Sequence, residues 1–117
     1  MSIQLAHVTF DCADATTLAG FWSQALGKPV DDGAEPFFAS IGYPPTGGSQ
    51  AWLFLQVPEG KTAKNRMHLD LVSGDAGRDA EVARLVDLGA TKLDDHDEYG
   101  HQWTVMHDPE GNEFCVA

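Results

Sequence analysis

Apolar and polar residues alternate with a period of two from Leu5 to Phe10, where Ala6, Val8 and Phe10 form one face and Leu5, His7 and Thr9 a more mixed one. This predicts a half-buried strand. The spacing then changes: Ala15, Leu18, Ala19, Trp22, Ala25 and Leu26 recur at helical intervals, with Asp14 placed to cap the start and Gly27 to end it. Short extended stretches follow at Pro29 to Val30 and Phe37 to Ile41, separated by the turn Asp31-Asp32-Gly33. Tyr43 to Ser49, with two prolines and two glycines, reads as a loop. The apolar run Ala51 to Val57 reads as a strand closed by Pro58 and Gly60.

The pattern then starts again. From Arg66, Met67, Leu69 and Leu71 alternate with His68, Asp70 and Val72. Asp75 opens a second predicted helix, whose buried stripe holds Val82, Leu85 and Val86 and which Gly89 closes. Thr91 to Asp94 predicts a short strand, the acidic run Asp94 to Glu98 a solvated loop, and Gln102 to His107 a strand. Laid over one another, the two passes match at His7 and His68, Asp14 and Asp75, Leu26-Gly27 and Leu88-Gly89, and Asp31-Asp32 and Asp94-Asp95. The offsets of 61, 61, 62 and 63 drift as a tandem duplication with small insertions would make them. Each half reads βαβββ. Neither half can bury both a helix and a sheet alone, which predicts a single α+β domain over residues 1–117 with two helices and about eight strands. Module 1 spans about residues 1–60 and module 2 about 61–117.

Composition narrows the function. With 7 basic and 18 acidic residues the formal charge is −11, so no basic stripe is available to neutralise phosphates, and nucleic acid and anionic membranes are poor partners. No apolar run approaches the length of a membrane span, and the N-terminus lacks the pattern of a secretory signal. A cytoplasmic protein is expected. Cys12 and Cys115 lack C-x-x-C spacing and are read as thiols.

The most distinctive stretch is Asp108-Pro109-Glu110-Gly111-Asn112, a turn signal feeding a last strand in which Phe114 and Val116 share one face and Glu113 and Cys115 the other. Together with His7 to Gly27, Asn65 to Asp70 and Leu88 to Thr91, it resembles the vicinal oxygen chelate superfamily, in particular its small glyoxalase-like and bleomycin-resistance branch. The resemblance implies paired βαβββ modules whose sheets curl into a cup with helices outside, small molecules bound inside the cup, and assembly as a homodimer. In metal-binding relatives the positions of His7 and His68 are ligands, and a carboxylate from the last strand of each module completes the site. Here Cys115 replaces one such carboxylate, and the first module offers Phe54 or Gln56 for the other. The implied cofactor is therefore none, or one divalent ion such as Zn, Ni, Fe or Mn.

Strand alternation sends His7, Thr9, His68, Asp70, Glu113 and Cys115 towards the expected cup, along with Trp52, Phe54 and Gln56, while Leu53, Leu55 and Val57 are assigned to the helix side. Trp52, Phe54 and Trp103 are candidate apolar walls, and His7, Gln56, His68, Asp70, Glu113 and Cys115 candidate polar anchors. Glu113 is the candidate general base, given enough desolvation. Set against these readings, the two histidines suit ordinary hydrogen-bonded positions in a wet cavity. His96, His101 and His107 are read as lying on or near loops with no ligand role, and Cys115 suits a small buried hydrophobe. The leading expectation is a metal-independent binder or sequestering resistance factor. The rivals are a metal-dependent lyase, isomerase or dioxygenase and a substrate-binding accessory domain.

Overall fold

The computed structural model describes residues 2–45 and 50–117, so residues 46–49 of the expected loop lie outside the described residues. The chain forms two compact units that meet in sequence between Gly60 and Lys61. Each has one helix and one sheet, so the class is α+β as expected. No helix among the described residues is long and apolar enough to cross a membrane.

In the first unit, β1 (His7–Cys12) leads into α1 (Ala15–Leu26), then β2 (Phe38–Ile41) and β3 (Ala51–Gln56). The helix begins where the sequence places it, because Asp14 is extended and its carboxylate accepts from the Thr17 N–H at 3.0 Å. It stops at Gly27, whose φ of 68° lets its N–H return to the Ser23 carbonyl. The sheet order is β1-β3-β2, with β1 parallel to β3 and β2 antiparallel to it. The strand expected at Pro29 to Val30 is reduced to an isolated bridge between Val30 and Ile41. Pro29 has no N–H to give a ladder, and the turn at Asp31 follows at once. Asp31 itself holds that turn together, accepting from the Ser40 hydroxyl at 2.7 Å and the Tyr43 N–H at 2.9 Å.

In the second unit, β4 (Leu69–Leu71) precedes α2 (Arg78–Leu88), β5 (Thr91–Glu98), β6 (His101–His107) and β7 (Glu113–Val116), in the sheet order β4-β7-β6-β5. Its first and last strands are parallel, as in the first unit. Two expectations are corrected. Asp75 does not cap the second helix: the chain turns at Asp75 and Ala76, Gly77 takes φ 89°, and the helix starts at Arg78 with no side-chain cap. The acidic run is no loop but most of β5, paired along its length with β6. A register shift between Lys92 and Asp94 leaves Leu93 as the extra residue, and the hairpin closes through Tyr99 and Gly100, at φ 56° and 77°.

The register also sorts the faces. Phe114, Val116, Met106 and Thr104 are cross-strand neighbours and almost fully buried, and Val82 and Leu85 are the buried residues of α2. In the first unit the Phe10 ring stands 5.6 Å from Trp22 of α1 and stacks on Phe54 at 5.4 Å. Phe10 and Phe54 are register partners, so Phe54, Trp52 and Gln56 share the helix face with Phe10 and Val8, while Leu53 and Leu55 share the opposite face with Thr9 and Asp11. This reverses the faces expected for that strand. The run Ala51 to Leu55 is apolar on both sides, so its sequence carries no alternation from which to choose.

Candidate functional site

On the face of the second sheet opposite its core, parallel pairing sets Asp70 directly beside Cys115, and the period of two adds His68, two residues before Asp70, to the same face. The result is a compact cluster. His68 Nδ1 is 3.0 Å from Asp70 Oδ1, Cys115 Sγ is 4.0 Å from the same nitrogen, and one ligand atom from each residue falls within 4.8 Å of the others. The side chains of His68 and Asp70 are 42% and 72% exposed, so the cluster is open to solvent.

This geometry does not make a thiol nucleophile. A carboxylate only accepts, so the Nδ1 hydrogen of His68 points to Asp70, and the nitrogen nearest the sulfur is not available to take the thiol proton. Burial also pushes the Cys115 thiol up, and the charge and hydrogen bond of Asp70 push it further, while Lys64 opposes them more weakly. What remains is a nitrogen, an oxygen and a sulfur donor converging on one place.

On the same sheet face, related to the cluster through Val105, the cross-strand partner of Cys115, lies an open cleft of about 640 Å3, with Leu93, Asp94 and His96 of β5, Val105 and His107 of β6, Glu113 of β7 and the loop from Lys61 to Lys64 among its walls. The cleft is shaped by Glu113, only 7% exposed, which accepts from Lys61 Nζ at 2.9 Å and from the Asn65 N–H at 3.0 Å. Burial would raise this carboxyl, but the Lys61 ammonium and the Asn65 N–H outweigh it and hold it at about 2. Glu113 ties the 61–65 loop to β7 through these two contacts. Trp103, an expected wall residue, stacks on His96 with ring centroids 5.1 Å apart and planes 11° from parallel. Sequence reading passed over Asp94, His96 and His107. Once β5 is recognised as a strand, alternation puts Asp94 opposite Val105 and His96 opposite Trp103, and it brings His107 beside Glu113.

The other expected residues belong to the first unit. His7 meets the edge of the Tyr43 ring at 5.8 Å. Phe54 has no exposed surface, so it is core and not a wall open to a ligand. Gln56 donates to the Ala13 carbonyl at 2.9 Å, tying β3 to the start of α1. Trp52 is half-buried, and its Nε1 is the one buried side-chain nitrogen or oxygen without a hydrogen-bond partner among the described residues. Because β1 pairs with β3 as β4 pairs with β7, the counterparts of Asp70 and Cys115 are Thr9 and Leu53. The first sheet has no second sulfur or carboxylate at those places.

The family model for the glyoxalase-like domain matches residues 7–117. The chain belongs to the glyoxalase-like domain family. No curated protein matches it in sequence. Among solved structures it is similar to a glyoxalase/bleomycin resistance protein/dioxygenase family enzyme from Burkholderia phytofirmans PsJN, with 20% identity over 97% of each chain and a TM-score of 0.77. It is also similar to the fosfomycin resistance protein FosX from Listeria monocytogenes, solved with Mn(II) and a dihydroxypropylphosphonic acid. That match has 11% identity over 99% of this chain and 90% of the other, with a TM-score of 0.77. FosX from Mesorhizobium loti matches at 16% identity over 99% and 92% of the two chains, with a TM-score of 0.73. At these identities the likeness establishes the vicinal oxygen chelate fold.

The Listeria FosX structure holds Mn(II), and the donors of the second unit can be compared with what a divalent ion needs. Bond lengths of about 2.0 to 2.3 Å to nitrogen, oxygen and sulfur in a tetrahedral site place ligand atoms about 3.3 to 3.6 Å apart. The observed 3.0 and 4.0 Å bracket that range, and the three ligand atoms together span up to 4.8 Å, so they must draw inward to share one ion.

Proposed function

We propose that this chain binds a small organic molecule in the cleft of its second unit, as a binding or sequestering protein of the resistance type. The observation that supports this reading is a cleft of about 640 Å3 whose walls combine apolar Leu93 and Val105 with the imidazoles of His96 and His107. A mostly apolar concavity with a few placed polar groups is the usual form of a small-molecule site. Native mass spectrometry of the freshly purified chain, followed by thermal shift against a panel of small polar and aromatic molecules, tests it. A bound or stabilising molecule whose effect is lost in the His96→Ala/His107→Ala variant is expected. No stabilisation by any panel member, or full retention by the folded variant, overturns the assignment.

A second reading, metal-dependent transformation of the bound molecule, is favoured by the convergence of His68, Asp70 and Cys115 beside the same cleft. These three residues would hold the ion, which when bound supplies Lewis-acid polarisation of a ligand oxygen. The chain's own part is to present the ligand from the adjoining cleft, with His107 and His96 as hydrogen-bonding groups.

We also infer that the chain works as a homodimer in the cytoplasm. Met67 and Val72, 85% and 86% exposed on either side of edge strand β4, favour an assembly that covers them. The cysteines, both thiols, suit a reducing compartment.

A further inference from the structure

We propose that the second unit alone carries the full protein ligand set for a thiophilic divalent cation, His68, Asp70 and Cys115, with the cysteine sulfur setting the metal preference. The proposal rests on the metal-dependent reading above and adds to it which half of the chain binds the ion and which ions it takes.

Three features carry it. The donors sit on rigid neighbours: Asp70 and Cys115 are direct partners in the parallel β4–β7 ladder, and His68 precedes β4 on the same face. Their ligand atoms already lie within 4.8 Å of one another, so an ion can take the place of the hydrogen between Nδ1 and Oδ1 and draw in the sulfur with little backbone movement. The equivalent places of the first unit hold Thr9 and Leu53, which offer no anionic or soft donor.

The chemistry of the set then selects the ion. Imidazole and thiolate favour Zn2+ and Co2+, whereas Mg2+ and Mn2+ prefer sites built from oxygen. Three protein ligands leave a fourth tetrahedral position for water or for a ligand oxygen, the arrangement of catalytic rather than structural zinc.

The test uses the full chain, stripped with a chelator and titrated with Co2+ while its absorbance is followed. Expected are one equivalent bound, a thiolate-to-cobalt charge-transfer band in the near ultraviolet, displacement of cobalt by Zn2+, and no displacement by equimolar Mn2+. The band should vanish in Cys115→Ser and in Cys115→Ala, and binding should weaken by about tenfold or more in Asp70→Ala, at least the loss seen when even an indirect partner of a metal is removed. It should persist in His7→Ala with affinity changed by less than about threefold, a shift worth under about 0.7 kcal/mol. Circular dichroism on each variant identifies any loss that comes from misfolding, and the two Cys115 variants are paired so that one folded form suffices. Cobalt binding without a thiolate band, or a band that disappears in folded His7→Ala, overturns this inference and leaves metal dependence standing. Failure of the folded wild-type chain to bind Co2+ or Zn2+ overturns both.

Discussion

Glu113 and Asp70 carry the same functional group on neighbouring strands, yet their surroundings give them opposite uses. Glu113 is buried, salt-bridged and hydrogen-bonded, whereas Asp70 stands in solvent beside an imidazole and a thiol. Because the folded carboxyl of Glu113 is held at about 2, below its ordinary 4.5, it stabilises the fold above pH 4.5, and that contribution fades as pH falls towards 2. Glu113→Gln should therefore cost about 1 to 3 kcal/mol at pH 7. In urea denaturation followed by circular dichroism, the difference between variant and wild type should shrink steadily below pH 4.5; a cost independent of pH would show that the Lys61 contact contributes nothing. Asp108 has a comparable structural task. It is 3% exposed and its Oδ1 accepts from the backbone N–H groups of Glu110 and Asn112, both at 2.9 Å. Asp108→Ala leaves those donors without their acceptor, and a loss of about 1 to 3 kcal/mol is expected from the same measurement. These residues also mark how far sequence reading reaches. The faces of Phe114 and Val116 were legible from alternation alone, but the partner of Glu113 comes from a loop some fifty residues earlier, and no local pattern announces a lysine that distant.

Elements were legible where their signals were local. Asp14 and Gly27 bracket α1 because capping depends on residues within one turn of the helix end. β5 was hidden because five charged or imidazole side chains in a row look like solvated loop, and the bulge at Leu93 breaks the alternation that remains. Its hairpin supplies a direct check. Tyr99 sits at φ 56° with 95% of its surface exposed, so it bears left-handed strain with no packing in return. Tyr99→Asn should raise stability by about 0.5 to 1 kcal/mol, and Gly100→Ala should lower it by about 1 kcal/mol. Thermal denaturation reads both, and a destabilised Tyr99→Asn would mean that the ring has a partner in solution.

The whole molecule was legible chiefly through its repeat. The spacing of His7, Gly27, His68 and Gly89 anticipated two halves that each begin with a strand followed by a helix, and the parallel pairing of first and last strand in each half came only from the ladders. The site was less legible, because which residue faces which depends on ladder register, and the apolar run of β3 hides register from view. For the assembled molecule, light scattering at micromolar concentration should give twice the 12.6 kDa mass of the chain, and a stable monomer would reject the dimer.

The correspondence of Thr9 with Asp70 and of Leu53 with Cys115 also places the two halves on an evolutionary scale. Since His7 already matches His68, two codon changes, T9D and L53C, would copy the entire donor layout into the ancestral twin. An engineered chain carrying both should bind a second equivalent of cobalt, with a second thiolate signature. The two halves share one parallel strand pairing, and at the donor positions the distance between them is two side chains.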